Sequence, residues 1–339
     1  MTSAVGPLEG PVFLHLARMT DERGLFEHAL HDEPRPEHGY CVDDAARGLV
    51  VVSRQADHDR TLSRLNRVYL DFVLGALAPD GSCHNRMGTD GGWDDEPTVG
   101  DWWGRAAWGL GVAAADAPTA GMRARALAGF RVAAQQRSPD SRAMAFAALG
   151  AGRLLRASPG EPAARDLLRD CAALLSQPGT GWTWPEPRLR YANAAVAEAL
   201  VVAGDTLCDD TALRRGIELL EFLVESEVGD HVSVTPAGGR GPGQRGPGFD
   251  QQPIEVAALA EACTAAFLAT AARRWLLVID LAWRWFLGEN DSRTPMFDPA
   301  TGGGYDGLER GGRNENQGAE STLAMLATAQ QAHLVRTLR

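Results

Sequence analysis

The stretch "HGYCVDDAARGLVVV", residues 38–52, sets two adjacent acids, Asp43 and Asp44, at the entrance of an apolar run. A carboxylate at a helix start can satisfy free amide hydrogens, but one acid is enough for that task. The second needs another use, and the same placement recurs along the chain. Asp101 stands in "GDWWGRAAW", Glu186 in "GWTWPEPRLRYANA", Asp250 in "FDQQPIE" and Glu320 in "GGRNENQGAEST". Aromatic and amide side chains accompany these acids. Tyr40, Trp102, Trp182, Trp184 and Tyr191 offer flat faces suited to sugar rings, while Arg105, Gln251, Gln252, Asn316 and Gln317 suit hydroxyl groups. Cleaving a glycosidic bond needs two carboxyl groups, one to protonate the leaving oxygen and one to activate water or attack carbon. Asp44 reads as the base. Glu186, between two prolines and beside Trp184, reads as the acid, because contact with an indole favours a protonated carboxyl. Asp101 and Glu320 are the substitutes for these two roles, and Asp43 and Asp250 join the substrate-binding set.

Groups so far apart in sequence need an architecture that gathers them. Ala, Leu and Arg dominate, and apolar period and punctuation predict about a dozen helices. They fall at about 11–19, 41–56, 60–77, 102–116, 120–136, 139–157, 161–176, 191–204, 210–227, 253–270, 272–287 and 317–335. Ser138 is expected to cap the helix that opens at Pro139, and Pro162 and Pro253 sit where no amide hydrogen is missed. "HVSVT" at 231–235 is the best strand signal. Short links alternate with long, motif-rich ones, so the chain reads as helical hairpins at 41–77, 102–136, 139–176, 191–227 and 253–287, with the last and first helices as a sixth pair. A closed ring leaves no hairpin with an unburied face. The expectation is therefore an all-α fold, an (α/α)6 toroid, formed by residues 1–339 as one domain. Its inner helices are the Ala- and Val-rich first members of each pair. If they run parallel, their N-termini and the long loops share one rim, and six dipoles favour carboxylates there.

Composition narrows the partners. The 339 residues carry a formal net charge of −11, with basic residues scattered singly, which argues against a nucleic-acid partner. The five cysteines show no metal-knot spacing, so neither a disulfide framework nor a metal is expected, and no organic cofactor is called for. No basic start leads into an apolar core, and no run approaches the ~18 apolar residues of a membrane span, so a cytoplasmic location is expected. His28 and His31 read as solvated loop residues, Asp306 as a turn residue and Glu255 as structural. The Gly-rich "GGRGPGQRGPG" reads as a flexible rim loop.

"HGYCVDDAAR", "TWPEPRLRYANA", "FDQQPIE" and "GGGYDGLERGGRNENQGAESTLA" resemble the motifs of a bacterial six-hairpin glycosidase-like family, over about residues 11–335. That resemblance implies the (α/α)6 toroid, an oligosaccharide or sugar substrate, and work beside a glycosyltransferase. Ala192 departs from the family's Tyr-Asp-Asn pattern, whereas Asp43, Asp44, Asp250, Gln251, Gln252, Gln317 and Glu320 keep it. The leading expectation is an inverting glycoside hydrolase. Its rivals are a sugar epimerase or isomerase, for which His38 is the one well-placed histidine, a phosphorylase, and a glycan-binding toroid without catalysis. Terpenoid-cyclase DxDD or DDxxD patterns are absent.

Overall fold

A computed structural model describes residues 11–177 and 181–337. Among them twelve α-helices occur: α1 (Leu14–Arg18), α2 (Val42–Ser53), α3 (Arg60–Ala76), α4 (Asp101–Asp116), α5 (Ala120–Ala133), α6 (Ser141–Ala157), α7 (Pro162–Leu175), α8 (Asn193–Leu207), α9 (Asp210–Glu227), α10 (Pro253–Thr270), α11 (Arg274–Phe286) and α12 (Ala319–Thr337). Helices α2, α4, α6, α8, α10 and α12 each touch the next, and α12 touches α2, which closes the inner ring. Helices α3, α5, α7, α9 and α11 lie outside their hairpin partners. The sixth outer position is held by α1, which packs on α12 and has only five residues instead of the nine expected for 11–19.

The inner helices are buried nearly all round. Small residues let their backbones approach closely. A Cβ added at Gly104 of α4 would stand 2.1 Å from the Ala143 carbonyl oxygen of α6, and one at Gly150 would stand 2.4 Å from the Ala107 carbonyl oxygen. Outer helices instead bury one stripe, as in α9, where Ala212, Gly216, Leu219, Leu220 and Leu223 face inward. Helix α10 reaches mean hydropathy 1.3 over 18 residues, so a segment of spanning length and composition does exist, contrary to the sequence expectation. Its window is 78% buried, as its inner-ring position requires.

Several helix starts follow ordinary chemistry. Asp59 caps α3 by accepting from Leu62 N at 2.8 Å, and Asp209 caps α9 by accepting from Thr211 N at 2.9 Å. Ser138 does not cap α6. The cap is Asp140, which accepts from Arg142 N at 2.8 Å, while Ser138 Oγ holds Asp140 N at 3.0 Å.

The strand forecast fails at 231–235, where only the isolated bridge between Val228 and Val232 forms. The strands are two or three residues long and lie elsewhere, in loops. They are β1 (Ala29–Leu30) with β2 (Glu33–Pro34), β3 (Tyr40–Cys41) with β4 (Arg86–Met87), β5 (Phe297–Asp298) with β6 (Gly303–Gly304), and β7 (Gly307–Glu309) with β8 (Gly312–Asn314), all antiparallel. The β3–β4 pair ties the long 78–100 loop to the entrance of α2. All five cysteines are free, and only Cys208 is exposed.

Candidate active site

Six helix starts surround one crater of about 790 Å³. Its lining includes Asp43, Asp44 and Arg47 from α2, Asp101, Trp102 and Arg105 from α4, the α6 cap Asp140, Tyr191 and Gln252 from the approaches to α8 and α10, and Glu320 and Ser321 from α12. A second cavity is lined by the far ends of the same six helices. The inner helices therefore run parallel, with their N-termini at the crater.

Neither acid of the opening pair caps α2. The cap position is Cys41, which makes no side-chain capping bond. Asp44 is 3% exposed; it takes a hydrogen bond from Cys41 Sγ at 3.2 Å and another from Arg47 Nη1. Burial raises its pKa from an ordinary 3.8 to about 7; Arg47 opposes this, and the charges of Glu320 and Glu27 reinforce it. Arg47 Nη2 also donates to Glu320 Oε2 at 2.6 Å, so one guanidinium bridges α2 and α12.

Asp43 faces Arg105, whose Nε lies 3.1 Å from Asp43 Oδ1. Arg105 is 2% exposed, and its guanidinium lies 3.9 Å from the centre of the Phe146 ring. Burial, with Arg47 nearby, lowers its pKa to about 10. Asp101 opens α4. Burial, then the charge of Asp140, raises its pKa to about 6, and its buried Oδ1 finds no partner among the described residues. Trp102 presents its ring at the crater while Nε1 donates to the Cys83 carbonyl oxygen at 2.8 Å.

Glu186 lies elsewhere. It is not part of the crater lining; its carboxylate receives Arg142 Nη1 at 2.5 Å and Trp184 Nε1 at 3.1 Å. Arg142 also donates to the Tyr191 carbonyl oxygen at 2.8 Å and to Asn193 Oδ1 at 3.0 Å. Glu186 thus anchors the arginine that fixes Tyr191 at the rim. Trp184 is fully buried and stacks on Phe222, and Trp182 packs edge-on against the same ring. These two indoles build the loop and do not line the crater; residues 178–180 of that loop lie outside the described residues.

Other expected sugar contacts also turn out to hold the frame. Tyr40 is buried, and its hydroxyl donates to Asp21 Oδ2 at 2.7 Å. Gln251 is wholly buried between Asp291 and the Trp285 indole. Gln317 is buried, with its backbone oxygen on His15 Nε2 at 2.8 Å. Asn316 Oδ1 accepts from His31 N at 2.9 Å, and Asp250 is exposed outside the crater lining. Gln252 does reach the crater.

The crater also holds groups that had no assigned role. Glu27, His28, Asn85, Arg86 and Asp306 come from loops. Arg86 is delivered by β4 and pairs with Glu27. His28 lines the crater, edge-to-face with His38 at 5.0 Å, so the crater histidine is His28, and the exposed His38 stands behind it. Asp306 accepts from Gly318 N at 2.8 Å ahead of α12, and burial raises its pKa.

Ala192 takes a left-handed backbone (φ 45°) and offers α8 no capping side chain. Glu255, reaching from α10, supplies the missing acceptor: it receives Ala192 N, and Asn193 N at 3.3 Å. This explains the structural reading of Glu255 and shows how the ring tolerates alanine there.

Glu27, Cys41 and Asp44 place one potential metal-ligand atom each within 4.8 Å of one another. The set fits a metal poorly. Arg86 and Arg47 already occupy the two carboxylates, and burial holds the Cys41 thiol well above its ordinary pKa.

Below the crater the ring axis narrows sharply. A void of only about 40 Å³ remains there, lined by Val50, Val51, Phe146, Leu149, Ile254 and Leu323 together with the charged Arg47, Arg105, Glu198, Glu261 and Glu320. That is room for a few waters at most.

No family model matches the chain, and no curated protein matches it in sequence. Solved structures do match in shape. A D-mannose isomerase aligns with TM-score 0.73 at 10% identity, covering 96% of this chain and 94% of that one. The cellobiose 2-epimerase from Bacillus thermoamylovorans B4167 aligns with TM-score 0.71 at 11% identity, covering 95% and 96%. The cellulase Cel9M of C. cellulolyticum aligns with TM-score 0.62 at 7% identity, covering 93% and 88%. At such identities the likeness concerns the fold alone. The chain is an (α/α)6 toroid, built as those sugar-handling proteins are.

Proposed function

We propose that the protein is a carbohydrate-active enzyme that cleaves a glycosidic bond by the two-carboxyl route. The observation that supports this is the pairing of Asp44 and Asp101 in first turns of neighbouring inner helices, facing one crater, each with its pKa raised, to about 7 and about 6. Asp44, the better proton holder, serves as the acid toward the leaving oxygen. Asp101, ionised at neutral pH, serves as the base toward water. An inverting hydrolase needs its two carboxyls ~6.5–9.5 Å apart, with room for the attacking water between them. Trp102 and Tyr191 are the stacking faces, and Arg105, Asn85 and Gln252 bind hydroxyls. This reading exchanges the roles first assigned to Asp44 and leaves Glu186 as a positioning residue.

Isomerisation or epimerisation of a reducing sugar is the second reading. His28 in the crater favours it, as do the epimerase and isomerase among the structural neighbours. One experiment separates the two. Oligosaccharides and reducing sugars are incubated with protein in D₂O and followed by NMR. New reducing ends that vanish in D44N and D101N support hydrolysis. Deuterium entering C2 without cleavage overturns it in favour of isomerisation. Saccharide binding with no turnover of any kind would leave a glycan-binding toroid beside a glycosyltransferase.

A further inference from the structure

The far mouth of the ring has chemistry of its own. There the C-terminal halves of the inner helices surround a cavity of about 940 Å³, larger than the crater and separated from it by the narrow throat on the axis. Three guanidiniums line it, and each is already matched by an acid. Arg54 pairs with Glu261, Arg153 Nε donates to Asp116 Oδ2 at 2.7 Å, and Arg156 Nη2 donates to Asp205 Oδ2 at 2.7 Å.

Glu198 has no such match. It projects from the middle of α8, is 7% exposed, and faces both this cavity and the narrow throat. Among the described residues its carboxyl group makes no hydrogen bond and no ion pair. The charged and titratable groups around it are Glu261 and Cys263 on α10, Arg54 on α2 and Arg156 on α6. Its oxygens open on the cavity, so their hydrogen-bond capacity is left for whatever enters it. Six parallel helices also end at this mouth, and their C-terminal carbonyls give it a negative field. The walls beside Glu198 are apolar, formed by Trp108, Leu149 and Val202.

We propose that this mouth is a second ligand site, which takes a small organic cation: a primary ammonium bonded to Glu198, with its carbon chain along Trp108, Leu149 and Val202. The ammonium supplies the donors that Glu198 lacks, and the field of the helix ends attracts it. The site is independent of the crater and of the reaction proposed there.

In the empty protein, burial and the neighbouring Glu261 hold the Glu198 pKa well above its ordinary value, so a cation that ionises it must displace a proton. The test is calorimetric titration of the full chain with putrescine, using 1,4-butanediol as the uncharged control, in buffers of differing ionisation enthalpy. Expected are saturable binding of putrescine alone and at least tenfold weaker binding in E198Q. Equal binding of the diol or full affinity in E198Q would each overturn the proposal. Should E198Q fold poorly, the comparison of putrescine with the diol on the unaltered chain decides by itself.

Discussion

Replacing Asp44 by asparagine tests the electrostatics of the crater through stability, with no need of a substrate. Asp44 is almost fully buried, and its pKa rises from 3.8 to about 7 on folding. The folded state therefore holds a proton that the unfolded chain releases between those values. Stability linked to this group is complete below about pH 4 and is lost as pH rises to about 7. A rise of that size corresponds to ~4 kcal/mol lost by pH 8. D44N carries no charge at any pH and escapes that loss, although it gives up the ionic part of the bond from Arg47, which keeps Glu320. Urea denaturation of both proteins from pH 4.5 to 8.5 measures the difference. The other titrating groups are common to both chains and cancel. The stability of D44N relative to the unaltered chain should climb steadily, by several kcal/mol, across that window. A difference that stays flat, or that moves the other way as pH rises, would show that Asp44 is an ordinary ionised partner of Arg47 and would remove it as the acid.

Asp101 sets the other limb: the acid side of the pH–rate profile of the unaltered chain should break near pH 6, measured as kcat/KM on whichever oligosaccharide is cleaved. E186Q should lower stability by ~1–3 kcal/mol through the weakened Arg142 pair and raise KM with little change in kcat; a thousandfold fall in kcat would return Glu186 to the role of acid. G104A forces a methyl group into the Ala143 carbonyl and should cost ~1–3 kcal/mol by thermal denaturation without shifting the pH profile.

The ring was legible because hairpins announce themselves through period and loop length. Helices α2 to α12 lie close to the positions read from the chain, and the alternation of short and long links placed the rim. The site was legible where helix geometry alone decides the direction of a side chain. Asp43, Asp44, Asp101, Trp102, Arg105 and Glu320, all in first or second turns of inner helices, reach the crater. Loop residues were harder. Residue type does not tell whether a glutamine faces a cavity or the interior, and Gln251 and Gln317, read as sugar contacts, lie buried outside the crater lining. Trp184 beside Glu186 misled for a similar reason, because the ring it packs on, Phe222, comes from α9. Glu27, Arg86 and Asp306 are brought in by loops whose strand pairs span only two or three residues, too short for alternation to appear.

The narrow throat on the ring axis limits how any chain-like molecule could use the crater. A pore would let a polymer thread through and be attacked anywhere along its length. With the axis this narrow, a long molecule can meet the crater only from the rim, and it must leave by the way it came.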